Sequence, residues 1–263
     1  MTSTSPPTIE AVFLDVGGVF VVPDPAVLGP VVASTGGLDR VPTAGELLRG
    51  HYAGVAEMDA RSWADPAASR AEGAAIWSGY HEGMARAMGV APDLIEGTVI
   101  ALGEVFTWTT DLWRWIIPGS IDALGRLAAT GIPVVIVSNS DGTVESVLRD
   151  RSVCQVGEGA GHVIVGVVDS HVVGCAKPDP AIFGFALGLL GGDGLDGRGV
   201  HGRRVADPSR VVHVGDTGHA DVDGAIAAGV RPLHLDPHGD CARPDHHEHV
   251  RTLDDVTALL ASR

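Results

Sequence analysis

Five short apolar runs, rich in valine and isoleucine, recur along the chain and are bounded by turn-forming residues. Runs of this kind are typical of strands that are buried on both faces of a parallel sheet. Segments with helical periodicity lie between them, including Ser120–Thr130, Pro180–Leu190 and Asp221–Ala228. Because strands that alternate with helices favour a parallel sheet covered on both faces, the pattern predicts an α/β fold. The five predicted strands are Ala11–Leu14, Pro133–Val137, His162–Val168, Val211–Val214 and Pro232–Leu235.

One long segment interrupts this alternation. Well over 100 residues separate the first predicted strand from the second, whereas a crossover between parallel strands needs only about a dozen. The segment is mostly compatible with helices, and it contains all five tryptophans and both tyrosines of the chain. We therefore predict an inserted helical domain over residues 23–115 and a core domain built from residues 1–22 and 116–263. Most of the aromatic side chains are expected to form the core of the insertion rather than a substrate pocket.

The composition limits the class of partner. The chain has 263 residues, of which 18 are basic and 33 acidic, and its formal net charge is −15. Such an acidic chain is unsuited to general binding of nucleic acid or of a membrane surface, since both need a positive face. No apolar run reaches the ~18 residues that span a bilayer, and Met1–Glu10 lacks the basic and apolar regions of a signal peptide. Three widely spaced cysteines favour a reducing compartment, so we expect a cytoplasmic protein.

Candidate chemistry begins where the predicted strands end. Asp15 follows the first strand and precedes a Val-Gly-Gly turn, at the edge where open α/β sheets bind ligands. Taken alone, this pattern is more often only a turn. Ser138 and Asn139 follow the second strand, where they offer donors to an anion or a cap to the next helix.

A single lysine and an acidic pair follow later in the chain. Lys177 is the only lysine, whereas the other 17 basic residues are arginines. It stands before Pro178 and Pro180, which fix the backbone at a helix start. A compact ammonium group suits a point contact with a carboxylate and a phosphoryl oxygen, although an ordinary surface lysine also fits the pattern. Asp216 and Asp221, at the end of the fourth strand, suit a hard cation such as Mg²⁺ or simply begin a helix.

In this order, and all at strand ends, these residues resemble the haloacid dehalogenase-like (HAD) superfamily. Asp15 stands in the position of the first motif of that family, Ser138 in the second, Lys177 in the third, and Asp216 with Asp221 in the fourth. The stretches Lys-Pro-Asp-Pro-Ala-Ile-Phe and Gly-Asp-Thr-x-x-x-Asp-Val-x-Gly-Ala resemble the branch that carries a helical cap after the first motif. The resemblance implies a Rossmann-like parallel core with an inserted α-helical cap domain.

The resemblance also implies Mg²⁺-dependent hydrolysis of a small phosphorylated metabolite. Asp15 would be the nucleophile and would form an aspartyl-phosphate that water then hydrolyses. Mg²⁺ would be held by Asp15, Asp216 and the main-chain carbonyl of Gly17. The remaining polar side chains would bind the phosphoryl group or support the residues that do so. These are Ser138, Asn139 and Lys177 as phosphoryl-binding residues and Asp221 as the supporting carboxylate.

Gly17 departs from the family pattern, which usually has there a second aspartate that protonates the leaving group and later activates water. Glycine cannot transfer a proton, and the loss of a positioned general acid costs about 10²–10⁴ in rate. We favour a substrate with a good leaving group, such as a sugar 1-phosphate or an acyl phosphate. Alternatively, another side chain replaces the acid, or the protein is a weak phosphatase kept for binding. The candidate replacements are His51, Glu57, Asp59, Asp141 and His219.

Two other interpretations compete with a phosphatase. A 2-haloacid dehalogenase would use the same nucleophile on carbon without Mg²⁺, but it would normally carry an aromatic residue at the position of Gly17. A binding protein on a HAD scaffold would not need the nucleophile, the lysine and the metal carboxylates, which are all present. Phosphatase activity is therefore our first expectation.

Two polar segments are predicted to be surface loops. Gly191–Arg204 is rich in Gly, Asp and Arg. Five histidines and a cysteine lie near the end of the chain, the first of them within the fifth predicted strand. Their spacing matches no zinc-binding pattern, so a solvated loop between that strand and the last helix is favoured over a zinc site. These residues are His234, His238, Cys241, His246, His247 and His249.

Overall fold

The computed structural model describes residues 8–65, 74–191 and 207–261. Most of the loop predicted at Gly191–Arg204 lies outside these residues. Ten strands and ten α-helices are described. The strands are β1 (Ala11–Leu14), β2 (Val21–Pro23), β3 (Trp113–Ile116), β4 (Val134–Ser138), β5 (Cys154–Val156), β6 (His162–Ile164), β7 (Gly166–Asp169), β8 (Val211–Gly215), β9 (Arg231–Leu235) and β10 (Glu248–Val250). The helices are α1 (Pro25–Thr35), α2 (Ala44–Ala64), α3 (Ala74–Ala87), α4 (Ile95–Trp108), α5 (Ser120–Ala128), α6 (Val144–Asp150), α7 (Ser170–Val173), α8 (Ala181–Gly191), α9 (Gly224–Ala227) and α10 (Leu253–Ala261).

Six of the strands form one sheet in the order β10-β9-β8-β1-β4-β7. All five neighbouring pairs run parallel, and the α/β fold predicted from the sequence is confirmed. Val12 of β1 is aligned with Val134 of β4 on one side and Val212 of β8 on the other. The carboxyl ends of β1, β4 and β8 therefore meet at one edge of the sheet.

The sheet is buried on both faces. Val12 and Leu14 of β1 belong to one hydrophobic cluster, whereas Ala11 and Phe13 belong to another. Successive side chains of a strand point to opposite faces, so each cluster covers one face of the sheet. This explains why the central strands are continuous apolar runs rather than alternating ones.

Two of the predicted elements are wrong in their extent. The run His162–Val168 is not one strand, because β6 pairs with β5 in a separate two-stranded sheet and β7 pairs with β4 in the main sheet. Both halves are apolar, so the pattern does not reveal the break at Val165. The predicted helix Asp221–Ala228 is replaced by a π-helical turn, Gly218–Asp223, followed by the short α9.

A sixth strand of the main sheet lies where the sequence predicted a solvated loop. Glu248–Val250 forms β10 beside β9, with His249 aligned opposite His234. Because these residues pair with β9, where His234 is only 4% exposed, the segment around His249 is not a solvated loop. A three-residue strand with polar side chains gives too short a pattern for detection from the sequence.

The described residues between β2 and β3 form helices with their own hydrophobic cluster. Tyr80 of α3 is fully buried in this cluster, while Trp108 at the end of α4 is 82% exposed. β2 and β3 pair in an antiparallel manner where the chain leaves and re-enters the core. The separate cluster supports our proposal that residues 23–115 are an inserted domain on a core of residues 1–22 and 116–263. Among the described helices, none combines the length and apolar character needed to cross a membrane.

Candidate active site

Three of the predicted site residues meet at the carboxyl edge of the sheet. Asp15 follows β1 directly, Ser138 ends β4, and Asp216 follows β8 directly. All three are buried. β1 is the central neighbour of β4 and β8, so the topology itself converges these polar groups where open α/β sheets place ligand sites.

Lys177 joins this group from the loop before α8. Its Nζ lies 2.8 Å from Oδ1 of Asp15 and 2.6 Å from Oδ1 of Asp221. The amide of Asn139 binds the backbone of Lys177 twice, since Nδ2 donates to the lysine carbonyl at 2.9 Å and Oδ1 accepts from its N–H at 2.8 Å. Asn139 therefore positions Lys177, and its side-chain amide is already engaged. The peptide bond between Lys177 and Pro178 is cis.

Asp221 is held by four donors. Oδ1 accepts from Lys177 and lies 2.8 Å from Nε2 of His213, and Oδ2 accepts from the backbone N–H and the hydroxyl of Thr217. Burial opposes ionisation of this carboxyl, but the charge of Lys177 and the hydrogen bond from His213 keep its pKa below the usual range. Asp221 is therefore an ionised support for Lys177. Sequence reasoning missed His213, which lies within β8 and has no motif around it.

The pKa values of Asp15 and Asp216 are raised, in contrast to the lowered pKa of Asp221. Burial raises the pKa of Asp15 to about 6, with Lys177 opposing and the neighbouring carboxylates adding to the rise. Burial and the charge of Asp221 likewise raise the pKa of Asp216 well above its usual value. One lysine faces three carboxylates here, so the ionised site has an excess of negative charge.

A divalent cation fits this charge excess. One carboxylate oxygen each from Asp15, Asp216 and Asp221 lies within 4.8 Å of the others. Hard oxygen donors of this kind suit Mg²⁺. Because the oxygens of Asp221 already accept four hydrogen bonds, Asp15 and Asp216 are the carboxylates available to a metal.

Gly17 and Gly18 form the turn after Asp15, and each has a different structural reason to lack a side chain. A Cβ at Gly17 would lie 3.4 Å from the indole ring of Trp113 and 4.0 Å from Oδ2 of Asp15. The space beside Gly17 is therefore bordered by an aromatic ring, which carries no acid. Gly18 has a φ of +65°, and a Cβ there would lie 1.9 Å from Oδ2 of Asp216, so this position requires glycine.

Helix α2 of the insertion reaches directly into the site. Nε2 of His51 lies 3.0 Å from Oδ2 of Asp216, and its Nδ1 lies 2.8 Å from the hydroxyl of Tyr80. Burial lowers the pKa of His51 to about 3, so the ring is neutral, donates through Nε2 and accepts from Tyr80. Tyr52 donates to the carbonyl of Gly18 at 2.7 Å. These contacts link the insertion to both the turn after Asp15 and Asp216.

Asp59, also on α2, binds the loop that follows Asp216. Its oxygens accept from the backbone N–H groups of Gly218 at 2.5 Å and His219 at 3.0 Å. Burial raises the pKa of Asp59 to about 8, although these hydrogen bonds oppose the rise. Asp59 is therefore protonated over much of the neutral range and is a carboxylic acid close to the site.

The remaining candidate acids are engaged elsewhere. Glu57 pairs with Arg61 on the same helix. Asp141 accepts two hydrogen bonds from Thr143, which lower its pKa. His219 lies in the loop after Asp216, but its ring faces Asp223, with Nδ1 3.4 Å from Oδ2. His51 and Asp59 are thus the two candidates from the insertion whose side chains contact Asp216 or the loop that follows it.

We expect Asp59 to make the stability of the folded chain fall as the pH rises. Its pKa is about 8 when folded and near 3.8 when unfolded, so between these values the folded state holds a proton that the unfolded state has lost. Asp59→Asn should therefore flatten the pH dependence of the free energy of unfolding over this window. Urea unfolding across the window, at constant Mg²⁺, measures this slope.

Asp141→Asn is the matched control, because the lowered pKa of Asp141 has the opposite sign. Asp141→Asn should be less stable than the wild type only at pH values above the usual carboxyl pKa. The difference in the free energy of unfolding should vanish in acid. Equal slopes for the wild type and Asp59→Asn would show that Asp59 is ionised like an ordinary carboxylate.

The parallel sheet and the acidic group at its carboxyl edge are those of an α/β protein with a candidate ligand site. A family model described as haloacid dehalogenase-like hydrolase matches residues 9–229, and the chain therefore belongs to this family. Over 161 residues it is 28% identical to pyrimidine 5'-nucleotidase YjjG of Escherichia coli strain K12. The aligned region covers 61% of this chain and 59% of that relative's own length.

Solved structures share the fold over nearly the whole chain. HAD-hydrolase YfnB from Bacillus subtilis, bound to magnesium, aligns with a TM-score of 0.53 and 16% identity over 97% of this chain and 99% of its own. The 2-haloacid dehalogenase from Pseudomonas syringae pv. Tomato DC3000 aligns with a TM-score of 0.50 and 20% identity over 97% and 99%. At these identities the likeness concerns the fold.

Proposed function

We propose that the protein is a Mg²⁺-dependent phosphomonoester hydrolase that acts on a small phosphorylated metabolite through an aspartyl-phosphate on Asp15. One observation carries the proposal: the carboxylate of Asp15 lies 2.8 Å from the only lysine of the chain, which Asp221 holds from its other side. An ammonium group fixed beside a nucleophilic carboxylate suits a dianionic phosphoryl group.

In the first step an oxygen of Asp15 attacks phosphorus, the new O–P bond forms, and the bond from phosphorus to the leaving oxygen breaks. Lys177 and Ser138 hold the remaining phosphoryl oxygens. Water then attacks phosphorus, releases inorganic phosphate and restores the carboxylate of Asp15. Asn139 acts through the backbone of Lys177 rather than on the phosphate itself.

Asp15, Asp216 and the carbonyl of Gly17 would hold Mg²⁺. A bound Mg²⁺ would offset the negative charge of the carboxylates and of the phosphoryl group. The charge excess of the acidic edge and the magnesium-bound structure of similar fold both support this assignment.

The surroundings of Gly17 favour a substrate whose leaving group needs no proton. Trp113 borders this position and offers no acid to the leaving oxygen. We expect kcat/KM for sugar 1-phosphates and acyl phosphates to exceed that for simple alkyl phosphates by about 10² or more. Phosphate release from a matched panel measures the ratio, and the panel includes pyrimidine 5'-monophosphates as alkyl esters. Equal turnover of the two groups would contradict the preference and favour Asp59 or His51 as the substitute acid.

A 2-haloacid dehalogenase is the second candidate, because the ring of Trp113 brings an aromatic group beside Gly17. In that reaction Asp15 would attack carbon and displace halide, and water would hydrolyse the resulting ester. The two activities separate in one experiment that measures phosphate and halide release with and without Mg²⁺. Mg²⁺-dependent phosphate release supports the phosphatase, and metal-independent halide release supports the dehalogenase. If neither phosphate nor halide is released, the result supports a binding protein.

A further inference from the structure

Four side chains near the end of the chain converge on one point. His234 lies on β9, Cys241 lies in the loop that follows, His247 directly precedes β10, and His249 lies on β10. We call them the histidine–cysteine cluster. One nitrogen or sulfur atom from each member lies within 4.8 Å of the others. The cluster is separate from the acidic group of Asp15, Asp216 and Asp221.

The sheet register brings the cluster together. His234 and His249 are aligned across β9 and β10, and their ring centroids lie 5.1 Å apart. The ring of His247 stacks on His249 at 4.5 Å. Sγ of Cys241 lies 3.8 Å from Nε2 of His247. Residues without a regular spacing between positions 234 and 249 thus form a compact donor set.

The outward-facing ring nitrogens of two of these histidines already have partners. Nε2 of His234 donates to the main-chain carbonyl of Asp216 at 2.9 Å, and Nδ1 of His249 lies 3.5 Å from Oδ2 of Asp236. Histidines that bind metals usually present one nitrogen to the metal and donate the other to a carbonyl or carboxylate. His234 therefore presents an unprotonated Nδ1, which faces Nε2 of His247 at 2.9 Å.

The inward-facing Nε2 of His249 is buried and has no hydrogen-bond partner in the described chain. A hydrogen bond between His234 and His247 would satisfy those two nitrogens, and Sγ of Cys241 accepts the backbone N–H of Arg243, but Nε2 of His249 still lacks a partner. A buried polar atom without a partner destabilises the fold. A metal ion bound among the four donors would satisfy all of them at once.

The chemistry of the four donors also suits a metal. Neutral imidazole nitrogens, and a thiol that loses its proton on binding, are the ligand forms that zinc takes.

We propose that the histidine–cysteine cluster is a structural Zn²⁺ site with Nδ1 of His234, Sγ of Cys241, Nε2 of His247 and Nε2 of His249 as ligands. Three imidazoles and one thiolate are a donor set that zinc prefers over Mg²⁺. A tetrahedral site with bonds of about 2.0–2.3 Å needs ligand atoms about 3.3–3.8 Å apart, so small side-chain shifts complete it. On binding, the Cys241 S–H bond breaks, an S–Zn bond forms and one proton is released.

The site has a structural role in the proposed geometry. All four ligands come from the chain, which leaves no open position for catalysis. The metal would fasten the loop after β9 to the edge strand β10. Through His234 it would also fix the main chain of Asp216. The proposal does not depend on phosphatase activity.

The test uses the full chain without a histidine tag, stripped with a chelator and kept in excess Mg²⁺ so that the carboxylates of the acidic edge are occupied. We expect it to take up one Zn²⁺ with release of one proton, and Co²⁺ in its place to give a thiolate-to-cobalt charge-transfer absorption band. The melting temperature should rise with Zn²⁺. Absence of the Co²⁺ band in the wild-type chain would overturn the proposal. This measurement does not depend on whether any variant folds.

Two matched substitutions locate the site. Cys241→Ser should abolish the charge-transfer band, while Cys175→Ser, at another partly buried free cysteine, should retain it. His249→Gln should weaken Zn²⁺ affinity by about tenfold or more without altering the thiol. A band that persists in Cys241→Ser would overturn the assignment. Asp15→Asn should keep both the band and the stoichiometry, which separates this site from the proposed active site.

Discussion

Asp15→Asn is expected to slow phosphate release by a factor on the order of 10³ or more, because the amide cannot form the covalent intermediate. The substitution keeps the size of the side chain, and Lys177 keeps its contact with Asp221. The folded structure should therefore survive while turnover is lost. Phosphate release under saturating substrate and Mg²⁺ measures the rate. Trapping of a phosphorylated chain by rapid acid quench shows whether the intermediate forms on this residue.

Asp122→Asn is the matched control, because Asp122 is an exposed aspartate in the first turn of α5. It should retain the wild-type rate and change stability by only a few tenths of a kcal/mol, the ~0.3 kcal/mol scale of a charge at a helix start. If Asp15→Asn retained turnover, or if phosphate were trapped on another residue, the proposed mechanism would be wrong.

Lys177→Met is expected to affect both activity and stability. It leaves Asp15 and Asp221 buried without their shared positive partner, and breaking a buried ion pair from one side costs about 3–5 kcal/mol. Loss of the contact to the phosphoryl group should lower kcat by a factor on the order of 10² to 10³. Urea unfolding gives the stability, and phosphate release gives the rate.

Removing the charge of Asp221 as well tests whether the loss of stability in Lys177→Met comes from unpaired buried carboxylates. Lys177→Met combined with Asp221→Asn should recover part of the lost stability, because one uncompensated carboxylate disappears, but it should not recover activity. Arg126→Met is the matched control, since Arg126 pairs with Asp254 on the surface, where an ion pair contributes little to stability. A Lys177→Met chain as stable as this control would mean that the buried carboxylates are protonated.

Much of the fold and part of the site follow from local pattern. Apolar runs and helical periodicity suffice for a parallel sheet, and the polar residues after β1, β4 and β8 must meet because adjacent parallel strands end at one edge. The proximity of Asp15, Ser138 and Asp216 could thus be predicted without coordinates. Lys177 lies in a loop and could be placed only through the resemblance of its surrounding motif.

The features that the sequence did not predict depend on contacts between distant segments. Trp113 borders Gly17, and His51 approaches Asp216, because the insertion folds back over the edge of the sheet. No periodicity in either segment indicates these contacts. The members of the histidine–cysteine cluster are visible in the sequence, but a solvated loop is favoured there over a zinc site. They follow no regular spacing, and they converge only because β10 pairs with β9 in a particular register.

The burial of Lys177 also determines how the protein responds to covalent labelling. Its side chain is 2% exposed, and although burial opposes its charge, Asp15 and Asp221 raise its pKa. Reagents that acylate neutral, accessible amines therefore cannot modify it while the site is closed. Because no second lysine competes, acylation of this one side chain reports only molecules in which the carboxylates have released it. The extent of modification, read as one mass increment on one peptide, thus measures opening of the site in the absence of any substrate.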